Sequence, residues 1–464
     1  MKYQLNTLLA ILQQAEYDLS LWRNWLTANR SDDQISRLNS LQPERWTGKL
    51  KLIKNLTSII SLVLSQTKAV ELSVYLLRPF ESLLTWVLMR LAANKLRRCQ
   101  KRGLVVIGIA GSYGKTSVKH ISKHILSHQW SVLMSPASYN TPLSLAVTIL
   151  RQLDQSHQIF MAELGEYKTN DIADFLKWVQ PDYAILTPIG YAHGERFGSD
   201  EKINLTFKPL LTSRFKPKFL LVDEANREVI KDFNLTNNHR SAEMSYYGSA
   251  ENNAYSLKIA SSNFDGSNGL LNTPQIKNLS VSTRLLSSHQ LVNTLPGIAL
   301  TEELGGQSLT SALSIRYAPD VPRRLAVISS PNGSVVIDNS YNTNPGSWQA
   351  ALNFIKQAKP DNLIVITAGF VELEPNLNAS AHVQLAKDLM AVASQIGIIE
   401  SRYNQDLIPV IKEGNVPFVI GSSQAEVISK LSQLESKSPR SGANSAKKSI
   451  NYFWLEGGSR ELYQ

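Results

Sequence analysis

A chain of 464 residues is longer than one ordinary core accommodates, so two or three domains are expected. With 43% hydrophobic and 19% charged residues it has the balance of a folded protein, and its single cysteine, Cys99, excludes a disulfide framework and a cysteine-based zinc site. The formal charge of +10 suits an anionic partner, but no RNA-binding signature or basic–aromatic array is present, so nucleic acid is not expected.

The start, MKYQLNTLLAILQQAEYDLS, has no small-residue cleavage site and does not read as a signal peptide. Apolar positions recur at three- and four-residue spacing through residues 1–100, which predicts helices. Within 53–97, LTSIISLVLSQT is too short to span a bilayer. AVELSVYLLRPFESLLTWVLMRLAAN is longer, but it carries Glu71, Arg78, Glu81 and Arg90 around Pro79. A helical pair in peripheral contact with a membrane, or packed on itself, fits better than a clean span. The KLRRCQKR that follows favours the cytoplasmic face.

At GLVVIGIAG the texture changes to a short apolar strand ending in glycines. QIFMAEL, YAILTPI, FLLVD, SVVIDNS, NLIVITAG and VPFVIG then read as buried strands between amphipathic stretches. That alternation predicts an α/β fold with mostly parallel sheets covered by helices. Residues 235–285 suggest an antiparallel flap or a poorly specified region, a helix follows over about 289–304, and YAPDVPRR supplies a hinge near 318–323. The domains expected are 1–100, 101–318 and 319–464, with 435–449 a surface loop.

The chemistry concentrates in GIAGSYGKTSVKH, Gly108 to His120. A strand, a tight glycine turn and a helix starting near Lys115 aim backbone N–H groups and a helix dipole at one anion. Lys115 adds a mobile charge for outer phosphates, and the Thr116 hydroxyl is a Mg²⁺ ligand type. Glu163 ends the next strand, where doubly wound sheets place ligand-binding side chains, and a third strand leads to His193. A shared metal–phosphate site is the reading these three strand ends support.

GIAGSYGKTS, SYNTPLSLAVTIL, AELGEY, PIGYAHGERFGS, HQLVNTLPGIAL, VPRRL and IDNSYNTNPGSWQAAL resemble, in order over roughly 104–375, the motifs of the Mur ligases. The type resembled most is MurF, which adds D-alanyl-D-alanine to a UDP-muramoyl-tripeptide. The resemblance implies a central P-loop ATPase domain and a smaller Rossmann-like C-terminal domain behind the helical N-terminal region. It implies that Gly111, Ser112, Tyr113, Gly114, Lys115, Thr116 and Ser117 cradle ATP phosphates, and that Thr116, Glu163 and His193 hold Mg²⁺. Asn293 would contact adenine, Arg324 would reach the γ-phosphate, and Asn339 would sit on the nucleotide side. Asn140, Thr141, Tyr341, Asn342 and Asn344 would face the substrates, a UDP-muramoyl-peptide and a dipeptide. The implied reaction is ADP-forming amide synthesis through an acyl phosphate, by a cytoplasmic monomer that touches the inner membrane face.

Four departures stand against that pattern. No UDP-binding domain is recognisable in residues 1–100. The family's carbamylated lysine falls on Phe207, with Lys208 one residue later, and one residue on a helix turns a side chain by about 100°. Paired aspartates have become Asp338–Asn339, and Arg323 and Ser144 stand where the family has glycines. A Mur-type ligase for another acid and amine, or an ATP-binding scaffold without turnover, therefore stays open beside the leading reading.

Overall fold

The computed structural model describes residues 3–15, 17–28, 47–190, 197, 199–233, 243–329, 334–341, 343–370, 373, 375–401, 404–437 and 451–456. The chain divides into two compact units between Met89 and Arg90.

In the first unit the described residues are helical: α1 (Leu5–Gln14), α2 (Leu19–Ala28), α3 (Gly48–Ile60) and most of α4 (Gln66–Gln100). Leu8, Leu12, Trp22, Leu50, Ile53, Val70 and Val74 close a small core, with the Trp22 indole donating to the Leu8 carbonyl at 3.1 Å. Thr47 caps α3 by accepting from the Leu50 amide.

The second unit contains two sheets. The larger comprises β1 (Val105–Ala110), β2 (Val132–Met134), β3 (Ile159–Glu163), β4 (Tyr183–Leu186), β5 (Phe219–Asp223), β6 (Glu243–Gly248), β7 (Tyr255–Asn263), β8 (Gly266–Asn272) and β9 (Leu279–Thr283). Their order is β2-β3-β1-β4-β5-β6-β7-β8-β9, parallel as far as β7 and antiparallel from β7 to β9. Five consecutive fully buried residues in β3 and in β5 show why these strands read as unbroken apolar runs, since helices cover both faces. Within the expected flap of 235–285, β7–β9 form an antiparallel meander, while β6 pairs in parallel with its neighbours.

The second sheet has the order β10-β11-β15-β12-β13-β14, from β10 (Ala326–Ser329), β11 (Val335–Asn339), β12 (Asn362–Thr367), β13 (Gln395–Ile399), β14 (Phe418–Gly421) and β15 (Asn451–Glu456). It is parallel except for the β10–β11 hairpin. The architecture is the α/β one expected, two mostly parallel sheets following a helical N-terminal region. One detail differs: the helix expected over 289–304 is two, Ser288–Val292 and Leu295–Glu303, because Pro296 opens a new first turn rather than continuing the old helix.

Candidate functional site

β1 lies between β3 and β4, so the connections leaving their carboxyl ends diverge there, the position where open α/β sheets bind ligands. The loop from β1 to α5 (Lys115–Leu126) fills that position. Gly111 has φ +129°, and a Cβ there would stand 2.2 Å from the Thr187 hydroxyl oxygen, so only glycine fits. Gly114 takes a left-handed conformation at φ +78° to start the helix.

The amides of Ser112 and Tyr113 donate to the Pro188 carbonyl at 2.9 and 3.1 Å, which ties the glycine loop to the segment after β4. The first-turn amides of Lys115, Thr116 and Ser117 have no intrahelical acceptor and remain as the anion donors. Two further observations fit an anion here. The Ser112 hydroxyl oxygen is buried with no partner among the described residues. The Lys115 ammonium is present, held 2.6 Å from Glu166 and also bonded to the Gly111 carbonyl.

Glu163, at the end of β3, is 2% exposed. Both of its carboxylate oxygens lie 3.2 Å from the Thr116 hydroxyl, and Oε2 accepts from the Lys119 ammonium at 2.8 Å. Lys119 is fully buried, and that burial pulls its ammonium below the usual lysine value while Glu163 acts to raise it. Burial and the neighbouring Lys119 charge push the His120 imidazole down to about 4, so His120 is neutral at pH 7. Lys119 and Glu166 escaped the sequence reading. The available signal was position: Lys119 is one turn after Lys115, and Glu166 three residues after Glu163.

Asn293 closes the helix Ser288–Val292 and stands against the glycine loop, its Oδ1 3.7 Å from where a Gly114 Cβ would be. Arg324 comes from the segment before β10. Its guanidinium lies 4.1 Å from the centre of the Tyr341 ring, and its carbonyl accepts from the Gln290 side chain. Burial lowers the Arg324 pKa, while Tyr341 and Glu163 act to raise it, so the guanidinium feels the Glu163 carboxylate. Arg323 has φ +64°, the left-handed region, which accounts for a residue exchange at a position where glycine is at ease. The Tyr113 ring contacts both Gly190 and Gly346, where an added Cβ would come within 2.4 and 3.4 Å of it.

Other expected residues have structural occupations. Asn339 pairs in register with Glu456 across β11 and β15, and its Nδ2 donates to that carboxyl at 2.8 Å. Thr343 donates to the other Glu456 oxygen. Burial raises the Glu456 carboxyl to about 8. Thr141 caps the helix Pro142–Gln152 in a reciprocal box with Ser144, which is what the serine at that position does. Asn344 caps Pro345–Ala358 in the same way with Ser347. Asn140 stands against Gly165 and accepts from the Tyr167 hydroxyl at 3.3 Å. Phe207 is fully buried, and Lys208, half-buried at the end of Asp200–Phe207, makes no side-chain hydrogen bond or ion pair among the described residues. His193 and Asn342 lie outside the described residues.

Among the described residues no group of three or more His, Cys, Asp or Glu forms a metal cage. Thr116 and Glu163 are nonetheless two oxygen donors side by side, the chemistry of a Mg²⁺ that keeps waters and phosphate oxygens as its other ligands.

Residues 109–301 match the Mur ligase middle domain. The chain is 27% identical over 257 residues to UDP-N-acetylmuramoyl-tripeptide–D-alanyl-D-alanine ligase of Bacillus subtilis (strain 168), covering 54% of this chain and 53% of that one. Against the enzyme of the same name from Escherichia coli (strain K12) it is 27% identical over 291 residues, 61% of each. The chain thus spans between half and two thirds of these relatives' length. A crystal structure of MurF from Acinetobacter baumannii superposes with a TM-score of 0.67 at 24% identity, over 82% of this chain and 78% of that one. With its glycine loop and its Thr116–Glu163 pair in the stretch that matches the Mur ligase middle domain, the chain carries that domain and is similar in sequence and fold to ligases of the MurF type.

Proposed function

We propose that this protein forms an amide bond at the expense of ATP, releasing ADP and phosphate, and that its substrates are a UDP-muramoyl-tripeptide and D-alanyl-D-alanine. The observation that carries this reading is the meeting of Lys115, Thr116 and Glu163 at one sheet edge, with Arg324 within electrostatic reach of Glu163. A substrate carboxylate oxygen attacks the γ-phosphorus, and the bond to the β-phosphate oxygen breaks. The amine nitrogen then attacks the acyl carbon, loses its proton and expels phosphate.

Lys115 and the first-turn amides of α5 hold the β- and γ-phosphates, and Arg324 neutralises charge on the transferring group. Thr116 and Glu163, with His193, would hold a Mg²⁺ ion, which would supply further charge neutralisation. Asn293 faces the base, and Asn339, Tyr341, Asn342 and Asn344 border the amine side with Asn140 and Thr141. The domain boundaries 1–100, 101–318 and 319–464, a monomeric state and a cytoplasmic location in contact with the inner membrane face through residues 53–97 belong to the same reading.

ADP release over a panel of acids and amines tests it. Turnover with UDP-muramoyl-tripeptide and D-alanyl-D-alanine is expected; turnover only with a non-muramoyl acid would replace the substrate assignment. The buried Phe207 favours a second reading, nucleotide binding without ligation. Binding with no turnover on any pair would establish that one. Running the panel with and without bicarbonate assigns Lys208: dependence gives it a carbamate, independence removes it from the machinery.

A further inference from the structure

Most of the large hydrophobic residues that the structure leaves exposed belong to one stretch, residues 52–91. On α4, Leu72, Leu76, Phe80, Leu83, Val87 and Leu91 are all exposed, Phe80 by 72% and Leu83 by 61%. At roughly 100° per residue they fall within an arc of about 100°, a stripe about 28 Å long at ~1.5 Å per residue. Leu62 and Val63, 85% and 88% exposed, add a second apolar tip in the turn between α3 and α4. Scattered exposed leucines need no explanation, but a continuous stripe on a soluble surface does.

The charges around the stripe decide its occupant. Residues 48–102 carry eleven Lys or Arg and two Asp or Glu. Both acids are tied down within the first unit: Glu71 pairs with Arg23 at 2.7 Å and Glu81 with Lys49 at 2.9 Å. Arg90, Arg97 and Arg98, further along the same helix, are exposed. A second copy of the chain would set this cationic face against its own like charge. An anionic bilayer complements it in both respects, taking the apolar side chains below its headgroups and the arginines at their level. By length and composition α4 is apolar enough to cross a membrane. A crossing would nevertheless draw the Arg23–Glu71 and Lys49–Glu81 pairs, and the helices that carry them, into hydrocarbon.

We infer that α4 is an in-plane membrane anchor: its Leu72–Val87 stripe lies in the interface of an anionic phospholipid bilayer, whose headgroups attract the basic residues of the same helix. This deepens the membrane contact in the proposed function and is independent of the ligase chemistry.

The test is flotation of the full-length protein, without nucleotide or substrate, on phosphatidylcholine vesicles with and without phosphatidylglycerol. Binding to the anionic vesicles is expected to exceed binding to the neutral ones by roughly tenfold and to weaken with added salt. L76E/F80E is expected to abolish flotation, and R97Q/R98Q to abolish the preference for anionic lipid. All four are exposed positions, so circular dichroism and the unfolding midpoint should stay those of the parent. Absence of flotation on either vesicle, or equal flotation on both, overturns the inference. So does light scattering that shows self-association abolished by L76E/F80E while flotation persists, which would make a second copy the occupant. Ligation by soluble protein, measured separately, would stand or fall without reference to these results.

Discussion

Lys119 and Glu163 form an ion pair with 0% and 2% of their side chains exposed, so neither charge has water to fall back on. Lys119→Met leaves a buried carboxylate alone and is expected to lower stability by about 3–5 kcal/mol, read from urea unfolding. Lys119→Arg should recover part of that loss. Because Lys119 bonds Oε2, it also orients the carboxylate so that both oxygens stay 3.2 Å from the Thr116 hydroxyl. The apparent Mg²⁺ requirement should therefore rise in the arginine variant, even where folding is restored. Glu456 behaves differently. Its carboxyl is raised from 4.5 to about 8, so the folded protein keeps a proton that the unfolded chain releases. Stability from this group is full below pH 4.5 and falls as pH rises towards 8. In Glu456→Gln that slope should vanish from chemical-denaturation midpoints across the range. The Glu456 contact also gives a reason for asparagine at 339, since an aspartate there would set a second carboxylate against the first.

At the scale of elements, the helix caps separate architecture from recognition. Thr141 and Asn344 each start a helix through a reciprocal box, and a lost cap costs about 0.5–2 kcal/mol. Thr141→Ala and Asn344→Ala should show that loss in thermal unfolding. If a residue also touches substrate, its variant will raise KM as well, and a pure cap will not. The strand β1, its glycine turn and α5 were legible in the sequence because local rules agree there: an apolar run, left-handed glycines and a helix start in order. Strands β10, β13 and β15 were not read. AVIS, QIGII and NYFWLE are short, and only their neighbours in the sheet make them strands. The Lys119–Glu163 and Asn339–Glu456 pairs were illegible for the same reason, since each joins segments that only the tertiary fold brings together. Phe207 was legible as a departure, but its full burial needed the fold.

For the whole molecule, nucleotide binding is a stability statement about the unit Arg90–Leu462, which holds every described residue of the candidate site. A nucleotide at a hundred times its Kd adds about 2.7 kcal/mol to whatever unit binds it. Calorimetry with an ATP analogue should therefore move the transition of that unit and leave that of the helical unit unchanged. Arg324→Ala should shrink the shift, because Arg324, which precedes the second sheet, feels the Glu163 carboxylate at the end of β3 in the first.

The Lys115–Glu166 contact carries one more consequence. The loop lysine already has an anion of its own, a carboxylate 2.6 Å away and 2% exposed. A polyphosphate arriving at α5 thus enters as a rival, and its net affinity is a difference between two anions for one ammonium. Weak anions should lose that contest, which makes Glu166 a threshold setter for which ligands the loop retains. Glu166→Gln should tighten ADP and free phosphate together, and in titration calorimetry the gain should be proportionally larger for phosphate.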